Sequence, residues 1–209
     1  AAMWQAMLMS VGLPNSRQIV INGFVTGEGG IKMSKSLGNV INPVDLVREY
    51  GTDALRFYVL KEVHPFEDSP FTLEKFKEAY NAHLANGLGN LVSRVMKMAE
   101  SNGVALDEKA TPVLDSKKHE NFYASFEINK VCDDIWSRIQ ETDKFIQEYQ
   151  PFKTVKTDAE KGKQQISFCL ASIYHIAEAL EPIMPETSKI ILEGVKNGKM
   201  PEKPLFMRK

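Results

Sequence analysis

Lys32 and Lys35 stand three residues apart in the run Gly29-Gly30-Ile31-Lys32-Met33-Ser34-Lys35-Ser36-Leu37-Gly38-Asn39-Val40. Two ammonium groups at that spacing on one loop can hold two negative charges at once. Lysine is a flexible point charge with three donors, so it suits a phosphate that moves during a reaction. The flanking glycines leave the loop free to open and close over a site. The bland alternative is a solvated Lys/Ser turn. The five-residue block Lys32-Met33-Ser34-Lys35-Ser36, with Leu-Gly-Asn behind it, is more specific than an arbitrary lysine pair.

A second set of residues suits a different chemistry. Leu84, Leu88, Leu91 and Val95 recur at helical spacing and form an apolar stripe. Asn86, Asn90, Arg94 and Lys97 form a polar stripe centred about 130° from it on an α-helix. Amide and guanidinium groups suit hydrogen bonding to the Watson–Crick edges of splayed-out bases. A solvated polar face is the plain alternative. Against it, asparagine is a weak helix former, and Gly87 and Gly89 each cost about 1 kcal/mol relative to alanine. The segment is therefore shaped by something besides helix stability. Close approach of another backbone, from protein or RNA, would explain the glycines.

The elements that must position these groups are mostly helices. Residues 1–11 read as a buried helix ended by Gly12-Leu13-Pro14. Gln18 to Phe24 reads as a short buried strand. Asn42 is a candidate cap with Pro43 at the first helical position, Gly51 ends that helix, and Thr52 opens another. A polar, proline-containing break spans His64 to Pro70, and the domain boundary is placed there. Helical periodicity then covers about 72–101, 119–149, 162–181 and 185–197. Residues 103–118 read as a loop, and the tail from Lys199 to Phe206 as irregular chain along the surface. The expected fold is mainly α: residues 1–70 form a short α/β remnant of a Rossmann-type catalytic domain, and residues 71–209 a helical bundle. The abrupt opening inside a helix is expected for a piece of a longer protein.

Composition sets bounds. The 209 residues are 43% hydrophobic and 25% charged with a net charge of -1, which suits a packed core and neither supports nor excludes a nucleic-acid partner. No apolar run of about 18 residues predicts a membrane span. Cys132 and Cys169 read as buried free thiols of a cytosolic protein, and no zinc-binding pattern is present. His64 and His119 are expected in solvent, His175 as a satisfied core histidine, and Trp4 and Trp136 in the core.

The Lys32–Ser36 run resembles the second signature loop of class I aminoacyl-tRNA synthetases, which stabilises the ATP phosphates during adenylation. The stretch Asn81-Ala82-His83-Leu84-Ala85-Asn86-Gly87-Leu88-Gly89-Asn90-Leu91-Val92-Ser93-Arg94 resembles a segment of the methionyl-tRNA synthetase family. Met3 to Leu8, Lys32 to Pro43, Glu181 to Thr187 and the Leu205-Phe206 ending are similar to that family too. The resemblance covers nearly the whole chain and favours methionine over the leucine, valine, isoleucine and cysteine enzymes. It implies that Asn86, Asn90 and Arg94 read the CAU anticodon. It also implies that Phe152, in Gln150-Pro151-Phe152-Lys153, stacks on an anticodon base where the family more often has tryptophan. A helix-end core residue is the alternative for Phe152. Asp143 and His83 depart from the family's usual asparagine and aspartate, and neither is expected to touch the base readers.

The resemblance further implies ATP with Mg2+ as substrate, methionine and tRNA(Met), including the initiator, as partners, and a cytoplasmic location. The family's Gly–His signature that grips ATP and its zinc-bearing insertion are absent from the sequence. The chain is therefore expected to be inactive alone and to work with a missing catalytic half. Two other readings remain: a noncatalytic helical tRNA-binding or scaffold module, and a bundle whose polar stripe meets protein.

Overall fold

From Ile166 to Leu180 apolar side chains occur on every side of the helical repeat, the pattern of a helix surrounded by protein. In the computed structural model this segment lies within the central helix. The structure describes residues 2–199 and 203–209, with Lys35 described by its backbone alone. Ile166, Cys169, Leu170, Ile173, Ile176, Ala177 and Leu180 are all buried.

In chain order the elements begin with α1 (Ala2–Ser10), β1 (Val25–Thr26), α2 (Pro43–Tyr50), α3 (Thr52–Glu62) and β2 (Ser69–Pro70). The bundle follows with α4 (Leu73–Ala79), a π-helical segment (Tyr80–Gly89), α5 (Asn90–Asn102), α6 (Ser116–Ala124) and α7 (Ile128–Tyr149). It closes with α8 (Pro151–Thr157), α9 (Ala159–Leu180) and α10 (Pro185–Asn197). Helix α9 packs against α5, α7, α8 and α10. The fold is mainly α, with a short α/β segment ahead of a helical bundle.

Local signals act as expected at several places. Asn42 caps α2 by accepting from Val44 N, Pro43 opens the helix, and Gly51 ends it at φ 89°. Leu84, Leu88, Leu91 and Val95 are buried. His175 is buried between Glu178 Oε2 and the Glu108 carbonyl, each 2.9 Å away. Both cysteines are buried, and burial pushes their thiols up to about 12. They serve as packing groups, since a protonated thiol is a poor nucleophile.

Other expectations are corrected. Residues 18–24 form no strand, and Ile19, Ile21 and Phe24 are exposed. Only the end of the segment meets another backbone: Gly23 N donates to the Pro65 carbonyl and the Phe24 carbonyl accepts from Ser69 N. The pairing falls instead on β1, which runs parallel to β2. Helix α1 buries none of its residues, and Trp4 is 56% exposed, so Trp4 is no core residue. Trp136 is, at 4%. The 119–149 stretch divides at Ser125–Glu127 into α6 and α7, and α8 and the single helical turn at Glu108–Ala110 were not expected. His119 is buried, not solvated, because α6 packs on α7 and turns its Nε2 to within 2.9 Å of Asp134 Oδ2. The 72–101 helix is continuous but widens over Tyr80–Gly89, so its faces are not spaced as on a pure α-helix.

The widened backbone itself explains one glycine of the segment. A Cβ on Gly89 would stand 3.0 Å from the Leu84 carbonyl and 3.6 Å from the Phe206 ring. The approaching backbone is thus the chain's own. Tyr80 donates to the Met207 carbonyl, and Asn81 exchanges two hydrogen bonds with Lys209. Residues 203–209 lie along the surface as expected, while Met200 to Glu202 fall outside the described residues.

Helix α3 fastens the first part of the chain to the bundle. Buried Asp53 accepts from Thr187 N at 2.7 Å, which caps the start of α10 from another helix. One turn on, Arg56 donates from Nε to the Ile183 carbonyl (2.8 Å) and from Nη2 to the Pro182 carbonyl (2.7 Å). Two side chains three residues apart therefore hold the α9–α10 turn. Asp53→Ala is expected to cost about 1.5 kcal/mol by leaving a buried helix-start N–H without an acceptor. Denaturant unfolding measures this, and an unchanged midpoint would show that water replaces the carboxylate.

Candidate nucleic-acid interface

The turn between α7 and α8 decides where Phe152 points. Gln150 takes the left-handed conformation, φ 45° and ψ 58°, and ends α7. Buried Pro151 opens α8 at once, its fixed φ suited to a first helical position. Thr154 Oγ1 donates back to the Tyr149 carbonyl at 2.9 Å. With no loop between the helices, Phe152 emerges beside α5, 42% exposed. That is too open for the helix-end core role.

A groove of about 650 Å³ lies between these helices. Helix α5 lines it with Arg94, Lys97, Met98, Ser101 and Asn102, α7 with Ile146, and α8 with Phe152, Val155 and Lys156. The structure thus brings Phe152, distant in sequence, to the same surface as Arg94 and Lys97. Asn86 and Asn90 are exposed on the same continuous helix but do not line the groove. They stand about two turns and one turn before Arg94. Lys156 was missed by sequence reading, although it follows Phe152 by four residues, the spacing of neighbours on one helix face.

Arg94 is anchored. Its Nη1 lies 2.6 Å from Asp143 Oδ1, and Gln147 Nε2 donates to Asp143 Oδ2 at 2.6 Å. Asp143 therefore touches a proposed base reader directly, contrary to the sequence expectation. The pairing depends on how α5 and α7 pack, which the residue types do not reveal. His83 stays away from the base readers, near Phe57 and Trp136.

The Lys32–Ser36 loop is closed by an asparagine. Asn39 Oδ1 accepts from Ser34 N at 2.8 Å, and its Nδ2 donates to the Lys32 carbonyl at 3.3 Å. Gly38, at φ 65°, makes the reversal that brings Asn39 back. Thr26 bridges to Lys32, and Gly27 N donates to the Ile31 carbonyl, so the loop is rooted on β1. Ser34 and Ser36 hydroxyls meet at 3.1 Å, and Lys35 begins a single helical turn. Exposed Lys32 holds its Nζ 5.3 Å from the Phe24 ring centre. The Lys35 side chain lies outside the described residues. The loop presents Lys32 toward solvent on a short frame, which suits a mobile anionic group.

This fold and loop match known families. The family model for tRNA synthetases class I (M) matches residues 1–96. That for the anticodon binding domain of methionyl tRNA ligase matches residues 102–204. Together they define the class, the family of class I aminoacyl-tRNA synthetases. The methionine--tRNA ligase of Thermosynechococcus vestitus is 36% identical over 203 residues, which cover 90% of this chain and 38% of that protein. That of Fusobacterium nucleatum is 33% identical, with 91% and 32% covered. A Mycobacterium tuberculosis methionyl-tRNA synthetase, solved with methionyl-adenylate, superposes with a TM-score of 0.79 at 26% identity over 97% of this chain and 42% of its own. The chain belongs to the methionyl-tRNA synthetase family. It spans about two fifths or less of the length of these relatives.

Proposed function

We propose that this chain is the C-terminal part of a cytoplasmic methionine-tRNA ligase, which joins methionine to tRNA(Met), initiator included, through methionyl-adenylate made from ATP. It supplies the signature loop and the surface that reads the anticodon. The observation that carries this reading is the groove where anchored Arg94 and the exposed Phe152 ring share walls. A ring of that exposure offers a stacking face, worth about 1–3 kcal/mol per base. Arg94, Asn86 and Asn90 offer donors and acceptors to base edges along one helix. Lys97 and Lys156 flank the groove, where anticodon phosphates would pass.

Lys32 and Lys35 stabilise the ATP phosphates as pyrophosphate leaves, because cations placed where charge develops lower the barrier most. Asn39 keeps the loop backbone formed while the lysines move. Mg2+ accompanies the nucleotide as part of the substrate. Among the described residues no three His, Cys, Asp or Glu side chains converge to hold a metal. Residues 1–70 belong with the catalytic domain and 71–209 with the bundle.

Without the Gly–His signature the chain makes no adenylate alone. The test is to join it behind the catalytic segment of a bacterial relative and measure methionylation of tRNA(Met). Activity that falls with Lys32→Ala supports the reading. A folded chimera that binds tRNA yet does no chemistry would instead leave a noncatalytic tRNA-binding module.

A further inference from the structure

We propose that Asp143 is a positioning and specificity residue: it holds the Arg94 guanidinium so that it reads a base edge and does not clamp a phosphate. The inference rests on the anticodon-reading function proposed above. Its basis is a three-residue relay across two helices. Gln147 donates to one Asp143 oxygen at 2.6 Å, and the other oxygen receives Arg94 Nη1 at 2.6 Å. Gln147 lies one helical turn beyond Asp143, so α7 holds the carboxylate from its own helix while the other oxygen faces Arg94.

Two consequences follow from this geometry. The first is direction. An arginine carries five N–H donors in a rigid planar fork. Among the described residues only Nη1 has a protein acceptor, so the other donors remain for a ligand while the plane is set. The Arg94 and Asp143 side chains are 36% and 33% exposed, so the fork can be reached from the groove. The second is charge. Asp143 neutralises Arg94 locally, which removes most of its pull on any passing phosphate. Phosphate attraction is independent of sequence and strengthens every RNA alike. A neutral base acceptor needs only the directed N–H groups and loses little from the carboxylate behind them. The pair therefore suppresses binding of wrong anticodons more than binding of the right one.

The test compares the 209-residue chain with its Asp143→Asn variant. Each is titrated with a CAU anticodon stem-loop and with one carrying a single anticodon change, across a series of salt concentrations. Asparagine keeps the shape and an acceptor but not the charge. The variant is expected to bind the changed stem-loop more tightly, narrowing the CAU preference by about fivefold, the scale of one partly exposed ion pair. Its salt dependence should steepen by about 0.7, as for one further phosphate neutralised on single-stranded RNA. Gln147→Ala, an exposed change that loosens Asp143 alone, should shift both quantities the same way by less. Equal weakening of both stem-loops with an unchanged salt slope would make Asp143 a merely structural partner and overturn the proposal. An unchanged preference would overturn it too. A wild-type chain that shows no CAU preference would instead overturn the anticodon reading beneath it, leaving Asp143 no discrimination to serve.

Discussion

Gly162→Ala is expected to lower the stability of the chain by about 3 kcal/mol, the upper range for forced overpacking. The added Cβ would stand 2.3 Å from Val155 Cα and 2.4 Å from Val155 N. Those are backbone atoms of α8 and cannot swing away like a side-chain tip. The sign is informative, because an unobstructed glycine inside a helix gains about 1 kcal/mol on becoming alanine. Here the helices cross with a glycine at the point of contact, and separating them must move α8. Phe152, Val155 and Lys156 ride on that helix and line the groove. RNA binding should therefore weaken even at temperatures where the variant stays folded. Denaturant unfolding together with a stem-loop titration measures both effects. A more stable variant would mean that α8 and α9 stand further apart than described.

Arg94→Ala is expected to cost about 1–3 kcal/mol of binding to a CAU stem-loop, the scale of one side chain reading a base. The loss should be much smaller for a stem-loop with the contacted base changed. Stability should change little, because a partly exposed ion pair contributes about 0–1 kcal/mol. Arg94→Lys keeps the charge but not the planar fork, so it should not restore the preference. Titration of the three proteins against both stem-loops checks this. Unchanged affinity in the alanine variant would remove Arg94 from the reading surface.

What was legible in the sequence follows from what periodicity encodes. The stripe from Leu84 to Val95 states burial directly, since a helix turns by a constant angle. The Asn42-Pro43 start and the Gly51 stop are local rules and held locally. The strand expected at residues 18–24 failed because pairing is a relation between segments, and composition reports on one segment only. Trp4 failed for a related reason: an apolar helix is buried only where another surface covers it, and among the described residues none does.

At the candidate site, side-chain chemistry was legible and geometry was not. Arg94 could be named from its polar stripe, and Phe152 only from the family resemblance. That they line one groove depends on the left-handed Gln150 and the packing of α8 on α9. The Asp143–Arg94 pair joins residues 49 apart, and no local rule links them. Gly162 did carry a signal, as an isolated glycine in a helical pattern. Its partner, Val155, emerges only once the helices are placed. Asn39 lay inside the quoted loop, yet its two bonds across the loop need the reversal at Gly38 to form.

The most direct measurement is a fluorescence titration of the unmodified chain with a CAU anticodon stem-loop and a singly changed one, at two salt concentrations. Salt must be varied because phosphate contacts alone produce strong binding at low ionic strength. The expected result is a preference for CAU that persists at the higher salt, where nonspecific attraction fades. Equal affinity for both stem-loops at both salts would contradict it and reduce the groove to a general cationic surface that binds any RNA.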